Sequence, residues 1–117
     1  MNGLNGFLFA DVGAGRIMTP LEGFCATTAY EQLACAPTAA KGAWPLRNAT
    51  SWRAAAHECL SRCSACERCQ YVSFSIEQSD CSWFKHCDTS KLHRSISGFV
   101  TLPALAASSL DLSLIHI

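Results

Sequence analysis

The chain has 117 residues, with nine Lys and Arg balanced by nine Asp and Glu, a length that bounds it to one small domain. Zero formal charge removes the electrostatic term that dominates nucleic-acid affinity, and the sparse charges include no basic block for an anionic membrane surface. No apolar run reaches the roughly eighteen residues of a membrane span, so neither a nucleic-acid partner nor membrane insertion of this chain is expected.

Residues 1–19 stand apart as an N-terminal segment of mixed Gly, apolar and polar residues. Phe7 to Val12 suits one short strand. Asp11 to Arg16 carries Gly13 and Gly15 but lacks the third glycine, the lysine and the helical pattern of a phosphate cradle, and reads as a turn. Residues 1–20 have no basic n-region, and the apolar stretch Gly6 to Ala10 runs into Asp11. No signal peptide is visible, and Met1 is expected not to be the native start. Residues 25–50 contain Cys25, Cys35 and the turn signals Pro37, Gly42 and Pro45, with a helical turn near Thr28 to Ala34, and read as a loop-rich stretch pinned by its cysteines.

From Thr50 the pattern sharpens. Thr50 or Ser51 suits an N-cap, and Trp52, Ala55, Ala56, Cys59, Leu60 and Cys63 recur at helical spacing, which predicts a three-turn helix ending near Ser64. Its apolar stripe carries Cys59 and Cys63 one turn apart on the same side. Residues 70–76 (QYVSFSI) alternate as a half-buried strand, with Val72, Phe74 and Ile76 on one face and Tyr71, Ser73 and Ser75 on the other. Glu77 to Asp80 is the turn, Cys81 to His86 the returning strand and Ile96 to Thr101 a third strand. Leu102 to Ser109 reads as a linker. The closing residues Leu112 to Ile117 read as translated sequencing adaptor and are set aside as a scar. The expected division is 20–102 for the folded module, 103–111 for a linker and 112–117 for the scar, with the chain covalently part of a larger protein. The fold class expected is α+β: a small disulfide-rich domain with one helix packed on an antiparallel hairpin or short sheet.

Eight cysteines dominate the chemistry, six of them (Cys59, Cys63, Cys66, Cys69, Cys81, Cys87) within 29 consecutive residues. A core this small needs staples, and an even cysteine count in a short chain points to bridges made in an oxidising compartment. Asn48-Ala49-Thr50 is an N-glycosylation sequon, meaningful in a secretory lumen. An extracellular or secretory-lumen location is therefore expected.

These residues, CxxCxxC followed by YVSFS and DCSWF behind a helix with two cysteines four apart, resemble the PAN/Apple family of disulfide-rich modules, in a divergent form similar to segments of algal and protist proteins. The resemblance extends over about residues 20–102 and is concentrated in 52–87. It implies bridges from Cys59 to Cys81 and from Cys63 to Cys69, clamping helix to hairpin. The first would close a loop of about 22 residues and contribute roughly 3 kcal/mol through the unfolded state. Cys66 and Cys87 lie outside the family pattern. Cys25–Cys35 with Cys66–Cys87 is one completion among the 105 pairings that eight cysteines allow.

Three other readings compete. Cys63, Cys66 and Cys69 with Cys81, Cys87, His57 and His86 nearby contain enough soft ligands for structural zinc in an intracellular interaction domain, but the second cysteine pair is six apart and lies in an aromatic strand. A cysteine nucleophile with His57 or His86 lacks any elbow or oxyanion glycine, and a CxxC redox motif lacks its βαβ surround. The chain also suits the accessory domain of a lumenal glycosyltransferase-type enzyme whose catalytic part lies elsewhere. The favoured expectation is a non-catalytic module without metal or cofactor that binds a protein or a glycan. Tyr71, Ser73, Phe84 and Lys85 are its candidate contact residues, because an aromatic ring beside hydroxyl and amine groups suits sugars or a partner surface. The plainer reading of the same stretch makes Trp83 and Phe84 a second small core under the segment from Cys25 to Trp44.

Overall fold

A computed structural model describes residues 8–12, 15–28, 35–47 and 49–105. The described N-terminal strands, β1 (Leu8–Val12) and β2 (Gly15–Thr19), form a two-stranded antiparallel sheet of their own, with Asp11 opposite Arg16 and Val12 opposite Gly15. The second of these paired strands, Gly15–Thr19, was not anticipated by the sequence reading. The expected helical turn near Thr28 to Ala34, the sequon Asn48, the 106–111 part of the linker and the scar at 112–117 lie outside the described residues.

The main sheet has five antiparallel strands in the order β3-β7-β5-β6-β4. These are β3 (Leu21–Glu22), β4 (Lys41–Pro45), β5 (Tyr71–Ser75), β6 (Asp80–Phe84) and β7 (Val100–Pro103). The helix α1 (Trp52–Ser64) begins where the sequence predicts it: Ser51 is the N-cap, and its Oγ accepts from the Ala54 N–H at 3.1 Å. Arg62 lies in the last turn, where a cation suits the carbonyl end of the helix. Ala55, Ala56, Cys59, Leu60 and Cys63 are buried, as the stripe requires. Trp52 is half-buried and its ring lies 6.0 Å from that of Phe74, so α1 covers the face of the sheet bearing Val72, Phe74, Cys81 and Trp83. Cross-strand partners share a face, and Val72 stands opposite Trp83 and Leu102, Phe74 opposite Cys81 and Val100.

Four expectations are corrected. The β5 strand is buried along its whole length, not half-buried, because a second layer covers the face bearing Tyr71, Ser73 and Ser75. The returning strand stops at Phe84, leaving Lys85 and His86 outside it. The third strand begins at Val100, since Gly98 takes a φ of +88° and Ile96 stays exposed. Its far end runs through the supposed start of the linker: Leu102 is fully buried and Pro103 pairs with Tyr71. The loop-rich reading of 25–50 likewise missed β4, whose Gly42 and Pro45 look like turn residues. They are tolerated because β4 is an edge strand, where one side of the ladder needs no partner, and Gly42 stands opposite the large Trp83 side chain.

All eight cysteines are bridged: Cys25–Cys87, Cys35–Cys66, Cys59–Cys81 and Cys63–Cys69. The two pairings implied by the family resemblance are present. The other four cysteines do not pair as Cys25–Cys35 and Cys66–Cys87. After the helix two tight turns follow in succession, with the Cys66 N–H donating to Cys63 O and the Cys69 N–H to Cys66 O. That geometry brings Cys63 and Cys69 together and leaves Cys66 for the distant Cys35. The thiolates a zinc reading would require are consumed in these bridges.

Candidate ligand-binding cleft

The second layer is a short strap, residues 23–28, which leaves β3 and crosses the sheet face opposite the helix. Gly23 makes that departure possible. Its φ is +116°, and a Cβ there would stand 2.8 Å from His93 O and from Leu92 Cβ. Phe24 then bridges to His93 in both backbone directions, at 3.0 and 2.9 Å. Cys25 is bound to Cys87.

Beneath the strap the sheet presents hydroxyls where a core would ordinarily be apolar. Ser73, Ser82 and Thr101 are all buried and share this face, with Ser73 opposite both Ser82 and Thr101. Their hydrogen bonds have a direction that one-proton bookkeeping fixes. The Thr101 hydroxyl donates to Gly23 O at 2.9 Å. Its 2.7 Å contact with Ser73 Oγ must therefore be donated by Ser73, which in turn accepts from the Cys25 N–H at 3.1 Å. The closed path from Cys25 N–H through Ser73 and Thr101 to Gly23 O fastens the strap to the sheet with every member satisfied.

A second hydroxyl path runs through Thr28 of the strap. Ser82 Oγ donates to Asp80 Oδ2 at 2.6 Å, and Thr28 Oγ1 lies 2.6 Å from Ser82 Oγ. Since Ser82 has spent its proton on the carboxylate, Thr28 is the donor. This path floors a cleft of about 260 Å³ whose apolar side is Phe24, Ile96 and Phe99, with Gln78 at its edge. The rings of Phe24 and Phe99 lie 5.2 Å apart at 53°, and His93 backs Phe24 at 5.5 Å. Ile96 is 42% exposed, an unusual placement for so large an apolar side chain beside a polar floor.

The contact residues expected from sequence do not form this cleft. Tyr71, Ser73 and Phe84 are buried, Ser73 completely, and Lys85 is half-buried. Their strand alternates as expected, but the face taken as exposed is roofed by the strap, so Ser73 serves the fastening and Tyr71 packs. Burial raises the Tyr71 phenol above its ordinary value of 10.0, because the phenolate would lose solvation. His57 and His86 are exposed. His93 holds the strap through its backbone and ring. The residues that the sequence reading missed are Phe24, Thr28, Asp80, Ser82, Ile96 and Phe99. One signal could have found part of the set: serine and threonine recurring at alternate positions of strands otherwise Val, Phe and Trp.

Among the described residues no group of His, Cys, Asp and Glu is arranged to hold a metal ion, and no helix is long and apolar enough to cross a membrane. Four disulfides are the usage of oxidising, secretory or extracellular environments. No protein-family model, curated protein or solved structure matches the chain.

Proposed function

We propose that the chain is a non-catalytic binding module of the PAN/Apple type, acting outside the cell or in the secretory lumen and engaging a protein or glycan ligand for a larger parent chain. The observation that carries this reading is the cleft between strap and sheet. It places two phenylalanines and an exposed isoleucine beside a carboxylate and a hydroxyl, on a frame that four disulfides hold still. Concave sites with apolar walls and a few converging polar groups are where small ligands and anchoring side chains bind, and rigidity lowers the ordering cost of binding. The bridge pattern Cys59–Cys81 and Cys63–Cys69 supports the family assignment, and the eight-cysteine frame supports the compartment.

The test begins with chain made in a secretory host and deglycosylated. Its intact mass should lie about 8 Da below the reduced form, with no thiol open to alkylation, as four bridges require. This oxidised material is then applied to a glycan array and to a panel of purified extracellular proteins. Saturable retention that is lost on reduction is the expected result. Oxidised, folded chain that binds nothing on either panel would overturn the binding role, and thiols that become reactive only after chelation would overturn the compartment.

A further inference from the structure

We infer that the end of the sheet where β4 begins and β6 stops is a contact site for a linear sulfated glycan, met by a row of cations, Lys41, Arg68 and Lys85. The inference rests on the binding role proposed above and names the class of glycan.

The first ground is convergence. These residues are scattered in the sequence, and the backbone of residues 39–41 gathers them. Ala39 O accepts from the Arg68 guanidinium Nε, and Ala40 O accepts from the Lys85 N–H at 2.8 Å. Lys41 follows as the first residue of β4, opposite Phe84. Three positive charges are thus tied to three consecutive residues of one strand end.

The second ground is that the tying leaves the charge in place. The Lys41 ammonium is held by the Thr27 carbonyl at 2.8 Å and Arg68 by the Ala39 carbonyl. A carbonyl orients a cation without neutralising it, and each group keeps further donors, since an ammonium has three and a guanidinium five. Glu67 is exposed beside Arg68 and is one negative charge against three positive. Asp88 lies beyond Lys85, but its carboxylate already accepts from the Ser90 Oγ at 2.6 Å and the Ser90 N–H at 3.1 Å. Asp80 stands opposite Pro45, at the other end of β4. A chain of zero formal charge therefore carries a locally positive rim.

The third ground is shape. Lys41 shares a face with its partner Phe84, and Lys85 comes next in the chain, so the two lysines stand on opposite faces of the sheet end. Arg68 lies at the rim beyond them, on Ala39. Charges strung across an open rim suit a ligand that carries charge at repeated intervals, as a sulfated chain does, whereas a lone carboxylate needs them to converge. The large apolar side chains that stand exposed among the described residues, Ile96 and Leu105, belong neither to β4 nor to β6. The rim thus lacks the apolar anchor around which a protein interface is built.

The experiment titrates the oxidised full chain, labelled with nitrogen-15, with short dextran sulfate, uncharged dextran and poly-glutamate. Affinity is read by calorimetry, and the amide shifts of Lys41, Arg68 and Lys85 locate the contact. Saturable binding of dextran sulfate and none of dextran is expected. The affinity should fall about tenfold between about 50 and 150 mM salt, as counterion release at three contacts requires. Lys85→Gln should weaken dextran sulfate about fivefold, the weight of one unit charge at contact distance in water, and Lys85→Arg should restore it. Arg68→Gln should weaken it by a similar factor, and Lys91→Gln, on the loop after Asp88, by less than about twofold. Equal binding of dextran, or an affinity unmoved by both Lys85→Gln and Arg68→Gln, would overturn the inference. Binding of poly-glutamate with silence from dextran sulfate would overturn it in favour of an acidic protein segment and leave the binding role standing. Silence from all three probes would remove the rim as a site, while the binding role itself falls only if the glycan array and the protein panel are silent too.

Discussion

The two faces of the sheet are closed by opposite chemistry. On the helix side, Val72, Phe74, Trp83 and Leu102 meet the stripe of α1, and one disulfide, Cys59–Cys81, bolts the layers together. On the strap side, residues 23–28 lie over Ser73, Ser82 and Thr101, buried hydroxyls in the middle of that face. Ser73 and Thr101 replace oil with a directed hydrogen-bond path, and Cys25–Cys87 supplies the bolt. The comparison teaches that a small domain can close a second face over buried polar groups if each of them is satisfied. The cleft lies beside the strap, at Phe24, Thr28 and Ser82.

The largest effect should come from the bolts. Alanine pairs are the appropriate variants, since serine at the fully buried Cys59 would strand a hydroxyl. The separations of 62 and 22 residues give losses of about 4 kcal/mol for Cys25/Cys87 and about 3 kcal/mol for Cys59/Cys81 from chain entropy. Urea titration measures both. Equal losses would mean that native-state effects outweigh loop length. Hydrogen exchange sharpens the contrast: without Cys25–Cys87, the Cys25 and Phe24 amides should lose protection before the helix does.

A reciprocal exchange of near-isosteres tests the faces themselves. Thr101→Val removes a hydroxyl from the strap side, leaving Gly23 O without its hydroxyl donor and Ser73 with only Cys25 Sγ to donate to, and should cost about 1–3 kcal/mol. Val72→Thr places a hydroxyl among apolar neighbours on the helix side and should cost a similar amount, about 1–3 kcal/mol. If either exchange is neutral by thermal or urea unfolding, the division into a dry and a hydroxylated face is wrong. Pairing Ser73→Ala with Thr101→Val in a double-mutant cycle should give less than the sum of the single losses, because both break one path.

The smallest effect is in alkali. The Tyr71 phenol is raised in the folded state, so its burial costs nothing below the ordinary value of 10.0. Above it the unfolded chain ionises first, and stability falls as pH rises through the folded value. Tyr71→Phe should flatten that alkaline limb in urea midpoints measured across the range, while leaving the midpoint at neutral pH nearly unchanged apart from packing. A limb of unchanged slope would assign alkaline loss to other groups.

Much of the helix-and-hairpin unit was legible residue by residue. The N-cap at Ser51, the stripe from Trp52 to Cys63 and the alternation in Tyr71 to Ser75 are local patterns, governed by helical and strand periods within a dozen residues. The existence of bridges followed from eight cysteines in a small core. The cleft was not legible, because its residues come from the strap, the turn after β5, β6 and the segment before β7. Each looks ordinary alone, and Ser82 or Thr101 in isolation reads as a solvent-facing residue.

The sequence by itself therefore determined an α+β module with one amphipathic helix, a hairpin and a full set of bridges, because periodicity, capping and cysteine count act over short distances. Tertiary structure alone decided three things: that Cys25 reaches Cys87 and Cys35 reaches Cys66, that Tyr71 and Ser73 lie inside, and that Leu102 and Pro103 belong to the sheet. Each depends on which distant segment covers which face. That choice is made by the free energy of closing the whole sheet on both sides, a quantity no local window contains.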